Sequence, residues 1–214
     1  MLLTHLPFLL EATLVTVGLA VASMLIGLVI GVFTALARIS KNKLLYRISS
    51  TYVSVIRGTP ALVQIYIVYY GLPQIGIELD PITSGIVALS INAGAYLSES
   101  FRAAIQSVDK GQLEAAYMLG MTYGQAMRRI IIPQSIRTAI PPIGNTYIGL
   151  LKETSLVSVI TVTELLQMTS LLIAKTFEPL TYYLIAALIY WALSSGFSYL
   201  QSRLEIRVTR HVRQ

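Results

Sequence analysis

The sequence predicts an all-α integral membrane protein in which residues 1–214 form a single domain with five transmembrane helices. Hydrophobic residues make up 55% of the chain and charged residues only 12%, a balance too apolar for an ordinary soluble fold. Residues 12–37 and 179–202 contain no charge, and roughly 20 apolar residues suffice to cross a bilayer as a helix. Weaker apolar runs predict the other three spans, the last of them irregular, at 58–77, 81–98 and 138–174.

Basic residues are concentrated in three segments that alternate with the predicted spans. Most of the 16 Lys and Arg residues follow the first span, lie between the third and fourth, or follow the last: Arg38, Lys41, Lys43, Arg47, Lys110, Arg128, Arg129, Arg137, Arg203, Arg207, Arg210 and Arg213. By contrast, residues 71–83 contain Glu78 and Asp80 but no Lys or Arg. The positive-inside rule therefore predicts a multi-pass protein with its N-terminus outside and its C-terminus in the cytoplasm. Because this charge flanks membrane spans, it does not predict binding to nucleic acid.

The residue types that several kinds of chemistry require are absent or far apart. The chain has no cysteine, which excludes disulfides and thiolate ligands. Its two histidines, His5 and His211, lie at opposite ends of the chain, so we expect neither a metal centre nor an intramembrane active site. The sequence has no Gly-rich phosphate loop followed by Lys and Ser or Thr, and hydrolysis of ATP by this chain is therefore not expected. The sequence predicts that the chain is not an enzyme and binds no cofactor itself.

Small and helix-breaking residues mark the first two spans. Ser23, Gly27 and Gly31 recur at helical spacing in span one, which predicts the close approach of a second helix. In span two, Pro60 lacks a backbone donor, so we expect a kink that faces protein or water rather than lipid. Arg57, beside this break, is expected to anchor the inner interface or to partner the freed backbone groups rather than to bind a ligand.

Polar residues follow one face of span three. Asn92, Tyr96 and Glu99 are spaced by four and three residues, so they share a helix face. Arg102 follows Glu99 at i+3, and two interpretations of Glu99 are open. It contacts a polar path, or it forms a structural ion pair with Arg102 near the cytoplasmic end of the span.

Residues 109–137 form a segment that is too polar to span the membrane and too regular to be a floppy loop. Asp109 is a predicted N-cap, and Gly120 is expected to separate two short helices. Apolar side chains accompany Arg128 and Arg129, a combination typical of a helix that lies on the membrane surface. The alternative is a docking element for a soluble partner.

The same segment contains a motif that resembles the cytoplasmic signature of permease subunits in bacterial ATP-binding-cassette importers. Glu114-Ala115-Ala116, Gly120 after three residues and Ile130-Ile131-Ile132-Pro133 after nine more match this signature, except that Ile132 replaces a Leu. Three other strings are similar to the amino-acid branch of the family: RGTP with LVQ from Arg57, NAGAYLSESFRAAIQSVDKGQ from Asn92 and PPIGNTYIGLLKETSLVSVI from Pro141.

The resemblance implies a fold, a location and partners. It implies the five-helix fold of type I importer permeases, in the bacterial inner membrane. A second permease subunit, identical or not, would face this chain across the pathway, and a solute-binding protein would deliver substrate from outside. A cytoplasmic ATPase dimer would use ATP and Mg. The residues implied to couple this chain to the ATPase are Glu114, Ala115, Ala116, Gly120, Ile130 and Pro133.

A free amino acid carries a carboxylate and an ammonium group, so its site requires charges or oriented dipoles in a polar cavity. Suitable residues lie on span three and after Pro141-Pro142, where the backbone is expected to be irregular. The candidate substrate-binding residues are Asn92, Tyr96, Ser98, Glu99, Glu153 and Ser155. The two glutamates favour cationic amino acids such as arginine, lysine or histidine, and glutamine and glutamate stay open. A second interpretation of Glu153 is also open, in which it neutralises Lys152 or lies at an interface.

Two other classes of transport protein remain as alternatives. A channel would explain polar groups within the membrane, but it would not need the coupling signature. A secondary transporter normally has more spans or an inverted repeat, and the five segments contain no visible repeat.

Overall fold

Every regular element that the computed structural model contains in residues 2–209 is helical, which confirms the predicted fold class. Side chains are described for residues 4–207, so Arg210, His211 and Arg213 lie outside the described part. The α-helices are α1 (Leu2–Ile39), α2 (Lys43–Gly58), α3 (Ala61–Tyr66), α4 (Pro81–Gln106), α5 (Lys110–Met118), α6 (Tyr123–Ala126), α7 (Ile132–Glu153), α8 (Leu165–Thr176) and α9 (Pro179–Thr209). Turns of π-helix at Ile67–Gly71 and Met127–Ile131 and of 3₁₀-helix at Leu72–Ile75 and Thr154–Ile160 extend or link them.

Membrane-crossing length and composition are found in two of the described helices. Thr4–Ile39 in α1 and Pro179–Arg207 in α9 are long and apolar enough to span a bilayer. A third crossing is obtained if Tyr123–Ile160 and Leu165–Thr176, which are bent by 50° relative to each other, count as one span. The structure thus agrees with an integral membrane protein, and the number of five crossings stays a prediction.

The central contact of the fold is between α1 and α4. A Cβ atom added at Gly31 would lie 2.7 Å from the Cβ of Leu97, and one added at Gly94 would lie 2.6 Å from Cγ2 of Ile30. Gly27 packs against α4 in the same way. The helices approach this closely because no side chain separates them at the glycines. The predicted close approach along Gly27 and Gly31 is confirmed.

A shared apolar core holds the other helices against this pair. Side chains from α1, α3, α4, α7 and the Thr154–Ile160 turn form one buried cluster, which includes Leu19, Ile65, Leu89, Leu97, Leu150, Val157 and Ile160. Burial of a Leu or Ile side chain stabilises a fold by about 1.5–3 kcal/mol where water is the alternative environment. The core therefore fixes α4 and α7 side by side.

The second predicted span is two helices separated by a break. α2 ends at Gly58, the backbone is extended at Thr59 and Pro60, and α3 follows. The break predicted at Pro60 is confirmed. α2 begins at Lys43, well before the apolar run at 58–77, because the side chain of Asn42 accepts hydrogen bonds from two backbone N–H groups of its first turn.

An aspartate cap begins α4. Oδ1 of Asp80 accepts hydrogen bonds from the backbone N–H groups of Ile82 and Thr83 at 3.0 and 3.1 Å. The Thr83 hydroxyl donates to the same carboxylate and, together with these backbone bonds, lowers the pKa of Asp80 below its ordinary value. The cap is therefore ionised at neutral pH, and its contribution is lost only as the pH falls through the lowered pKa.

The region after Pro141-Pro142 is more regular than the sequence predicts. α7 continues through both prolines to Glu153, and irregular backbone starts only with the Thr154–Ile160 turn. Nε2 of Gln201 in α9 donates to the carbonyl oxygen of Pro141 at 3.1 Å. The expectation of irregular backbone directly after the prolines was wrong, because packing against α9 and α4 overrides the local weakness of a proline pair in a helix.

Gly31→Ala is expected to destabilise the protein, because the new methyl group would overlap Leu97 across the α1–α4 contact. Overpacking of this kind costs about 1–3 kcal/mol. Gly18→Ala is the matched control in the same helix, since nothing lies within 4 Å of its added Cβ. Thermal unfolding of the detergent-solubilised protein measures both variants. Equal melting temperatures for the two would contradict the described contact.

Candidate substrate cavity and coupling segment

A polar cavity of about 290 Å³ lies between α4 and α7. Asn92 and Tyr96 line it from α4, and Asn145, Thr146 and Glu153 line it from α7, together with Ala93, Gly149 and Leu150. Positions 92 and 96, like 145, 149 and 153, recur at four-residue spacing, so each helix presents one face to the cavity. The volume is near the lower end of the range for small-molecule sites.

Gln64 of α3 ties the break in span two to this cavity. Its Nε2 donates to the carbonyl oxygens of Ile56 at 2.8 Å and Thr59 at 3.2 Å, and its Oε1 accepts from Nδ2 of Asn92 at 3.0 Å. Both side chains are buried, with 7% and 4% exposed. Gln64, not Arg57, thus partners the backbone groups beside Pro60, and that expectation for Arg57 was wrong.

Three guanidinium groups surround the carboxylate of Glu99. Arg38 of α1 contacts its Oε1, Nη2 of Arg102 lies 2.8 Å from Oε2, and Nη1 of Arg57 lies 3.8 Å from Oε2. Arg102 also donates to Gln106 at 2.6 Å. The cluster joins α1, α2 and α4 through one carboxylate. This geometry favours the structural ion pair over a direct substrate contact for Glu99.

The structure brings three of the six predicted substrate-binding residues together. Asn92, Tyr96 and Glu153 line the polar cavity. Ser98 is fully buried and donates to the carbonyl oxygen of Ala95 within its own helix at 2.8 Å. Ser155 donates to the carbonyl oxygen of Lys152 at 2.7 Å and does not line the cavity. Glu99 lies in the arginine cluster instead.

Gln64, Asn145 and Thr146 were not among the site residues predicted from the sequence. Thr146 and Asn145 would follow from the spacing to Glu153 once α7 is taken as a helix through its prolines. The LVQ string includes Gln64, but it does not predict the contact with Asn92, because that partner lies 28 residues away.

The segment at residues 109–137, here called the coupling segment, contains two short helices on either side of Gly120. Asp109 caps α5 by accepting from the N–H of Gly111 at 2.6 Å, and Thr122 and Gln125 form a reciprocal capping box at α6. Between the helices Gly120 has a φ of +75°, a value that side chains with a Cβ rarely adopt. The predicted N-cap and the predicted break are both confirmed.

Large apolar side chains are exposed at the tip of this segment. Met118 is 89% exposed and Leu119 is 80% exposed, and Tyr117 and Tyr123 are about half exposed. Of the implied coupling residues, Ala116 is fully buried and anchors the segment, Ile130 is half-buried, and the remaining four are exposed. An apolar tip beside exposed polar residues is typical of a protein interaction surface.

The helical fold agrees with an integral membrane protein, and comparison with known proteins identifies its family. Residues 27–210 match the family described as the inner membrane component of binding-protein-dependent transport systems. Because the match covers most of the chain, this protein belongs to that family. Its membership confirms the resemblance inferred from the signature at Glu114.

Individual relatives are permeases of amino-acid transporters. The chain is 44% identical to the probable amino-acid ABC transporter permease protein YckA of Bacillus subtilis, over 96% of this chain and 91% of the relative. It is also 44% identical to the L-cystine transport system permease protein TcyB of the same organism, over 92% and 85%. A crystal structure of an amino acid ABC transporter with histidines is 40% identical, with a TM-score of 0.93 over 96% of both chains.

Glu99→Gln is expected to lower stability by about 1–3 kcal/mol, because it leaves three guanidinium groups without their shared carboxylate. The value is below that of a fully buried pair, since the side chains are partly exposed. A double-mutant cycle with Arg102→Gln, followed by thermal unfolding, measures the coupling. Additive effects of the two substitutions, with altered substrate selectivity only, would instead favour a substrate contact.

Proposed function

We propose that this chain forms the translocation path of an ATP-driven importer for polar amino acids, with cationic amino acids as the preferred class. The observation that carries the proposal is the cavity between α4 and α7. Its lining combines the Glu153 carboxylate with the amides of Asn92 and Asn145 and the hydroxyl of Thr146. These groups offer hydrogen bonds to an amino acid in a low-dielectric setting, where unpaired polar groups are costly.

A cationic substrate is supported by the charge of this lining. Glu153 is acidic, and none of the residues that line the cavity is basic. Glu153 is also half-buried, so an ammonium or guanidinium group would be attracted more strongly than in open water. One relative is a permease of an L-cystine transport system, and the similar crystal structure contains histidines, so we infer that relatives differ in substrate while sharing the fold.

Glu153→Gln is expected to weaken the binding of arginine or lysine by about tenfold or more, because a charge-assisted contact is replaced by a neutral one. Binding of labelled amino acids to the purified complex with its ATPase measures the effect. Glutamine affinity should be unchanged. Glu178→Gln, the same chemical change at an exposed position outside the cavity, is the control. Unchanged arginine affinity in Glu153→Gln would contradict the proposed substrate class.

In this proposal, the segment around Gly120 couples transport by this chain to ATP hydrolysis by a partner. In the proposed assembly, a cytoplasmic ATPase dimer receives the exposed tip with Met118 and Leu119 in a cleft, and ATP and Mg are bound by that dimer. Closure of the dimer would move α7, which continues from the segment through the Met127–Ile131 turn. The exposed apolar tip and the glycine-dependent turn support this role. Hydrolysis would thus occur in a separate chain.

Gly120→Asp is expected to uncouple transport while leaving membrane insertion intact. Nothing lies within 4 Å of a Cβ added at Gly120 in the free chain, so the carboxylate would be desolvated only in the ATPase cleft. Gly120→Asn is the matched control, because Asn tolerates a positive φ and carries no charge. ATP-driven uptake should fall at least about tenfold in the Asp variant only. Normal uptake by Gly120→Asp would exclude the proposed coupling role.

The proposed importer also contains a solute-binding protein and a second permease subunit, and the chain has a defined orientation in the membrane. A solute-binding protein would deliver the amino acid at the outward face, where the acidic 71–83 segment lies. A second permease subunit, identical or homologous, would complete the pathway in the inner membrane. The N-terminus would lie outside and the C-terminus in the cytoplasm, as the distribution of Lys and Arg supports.

A further inference from the structure

The three arginines that surround Glu99 differ in their distance from its carboxylate and in their exposure. Nη2 of Arg102 is 2.8 Å from the carboxylate, whereas Nη1 of Arg57 is 3.8 Å away. The side chains of Arg38 and Arg102 are 15% and 28% exposed, and that of Arg57 is 43% exposed. Arg57 is therefore the member that can move away while Glu99 keeps two partners.

The cluster carries surplus positive charge. Among the side chains described, Glu99 is the one carboxylate within 4.0 Å of these guanidinium groups. One carboxylate cannot neutralise three guanidinium groups, which stay charged at any physiological pH. The surplus attracts an anion, and the most exposed and least engaged guanidinium group is that of Arg57.

Arg57 lies one aromatic ring away from the polar cavity. Its guanidinium carbon is 5.2 Å from the ring centroid of Tyr96, a cation–π distance. Tyr96 is itself part of the cavity lining. A planar guanidinium group that stacks on a ring keeps its N–H donors free at the edge, where a carboxylate can accept two of them.

The residues that line the cavity do not provide a charged partner for each charged group of a free amino acid. The lining contains one carboxylate, two amides and the hydroxyls of Tyr96 and Thr146, but no cation. The α-carboxylate of a bound amino acid would then be left without a charged partner, which is costly away from bulk water. Arg57, stacked on the lining residue Tyr96 and 3.8 Å from Glu99, is the cation that the contacts place nearest to this lining.

We propose that Arg57 binds the α-carboxylate of the transported amino acid, exchanging its long contact with Glu99 for the substrate while it stays stacked on Tyr96. This inference rests on the proposed function of the cavity, but not on the side-chain class of the substrate. Arg57 recognises what all free amino acids share, whereas Glu153 selects among their side chains. Arg38 and Arg102 hold Glu99 in place during the exchange.

The test compares amino acids with their decarboxylated amines in the purified complex with its ATPase, without a solute-binding protein. The probes are arginine against agmatine, and glutamine against its decarboxylated amine, measured by competition with the labelled amino acid. Arg57→Gln should weaken amino-acid binding by about tenfold or more and leave amine binding unchanged, so the preference for the carboxylate is lost. Arg57→Lys should restore part of it.

Control variants separate this role from a general charge effect. Arg47→Gln removes the same charge from an exposed position of α2 outside the cluster and should keep the preference for the carboxylate. Lys152→Gln tests the exposed cation next to Glu153. The proposal would be overturned if the Arg57→Gln variant still preferred amino acids over their decarboxylated amines. It would also be overturned if Lys152→Gln abolished this preference instead. If Glu153→Gln leaves arginine affinity intact while Arg57→Gln still abolishes the preference, the proposed substrate class fails and the role of Arg57 stands.

Discussion

The close contact between α1 and α4 is the constraint on which the other features of the structure depend. Gly31 and Gly94 allow backbone approach that a methyl group on either helix would prevent. One face of α4 is used for this contact, so the polar face with Asn92 and Tyr96 is turned toward α7. The same contact brings the end of α1, with Arg38, to Glu99. Apolar packing thus determines where the polar groups meet.

The polar groups within this helical frame are linked rather than isolated. Gln64 joins the proline break of span two to Asn92, and Asn92 lines the cavity. Tyr96 connects the cavity to Arg57 and through it to the cluster at Glu99. Buried polar groups cost free energy unless each finds a partner, so such links hold a site in one geometry. A substrate that enters the cavity would exchange contacts within this network.

Local sequence signals predicted much of the fold and part of the site. The helical class, the cap at Asp109, the turn at Gly120 and the break at Pro60 each depend on neighbouring residues, and the structure confirms them. Contacts between distant residues escaped prediction. Gln64 meets Asn92 only after α3 and α4 pack, and α7 stays helical through Pro141 while Gln201 of α9 donates to the Pro141 carbonyl oxygen. The shared carboxylate of Glu99 likewise requires three helices at once.

Transport energised by ATP distinguishes the proposed importer from a channel or a secondary transporter with the same polar groups. The direct measurement is uptake of a panel of labelled amino acids into proteoliposomes that contain this chain, its ATPase and the solute-binding protein, with and without ATP. The account predicts accumulation above the external concentration, dependent on ATP and strongest for cationic amino acids. Equilibration at the same rate without ATP, or uptake driven by an ion gradient alone, would contradict it.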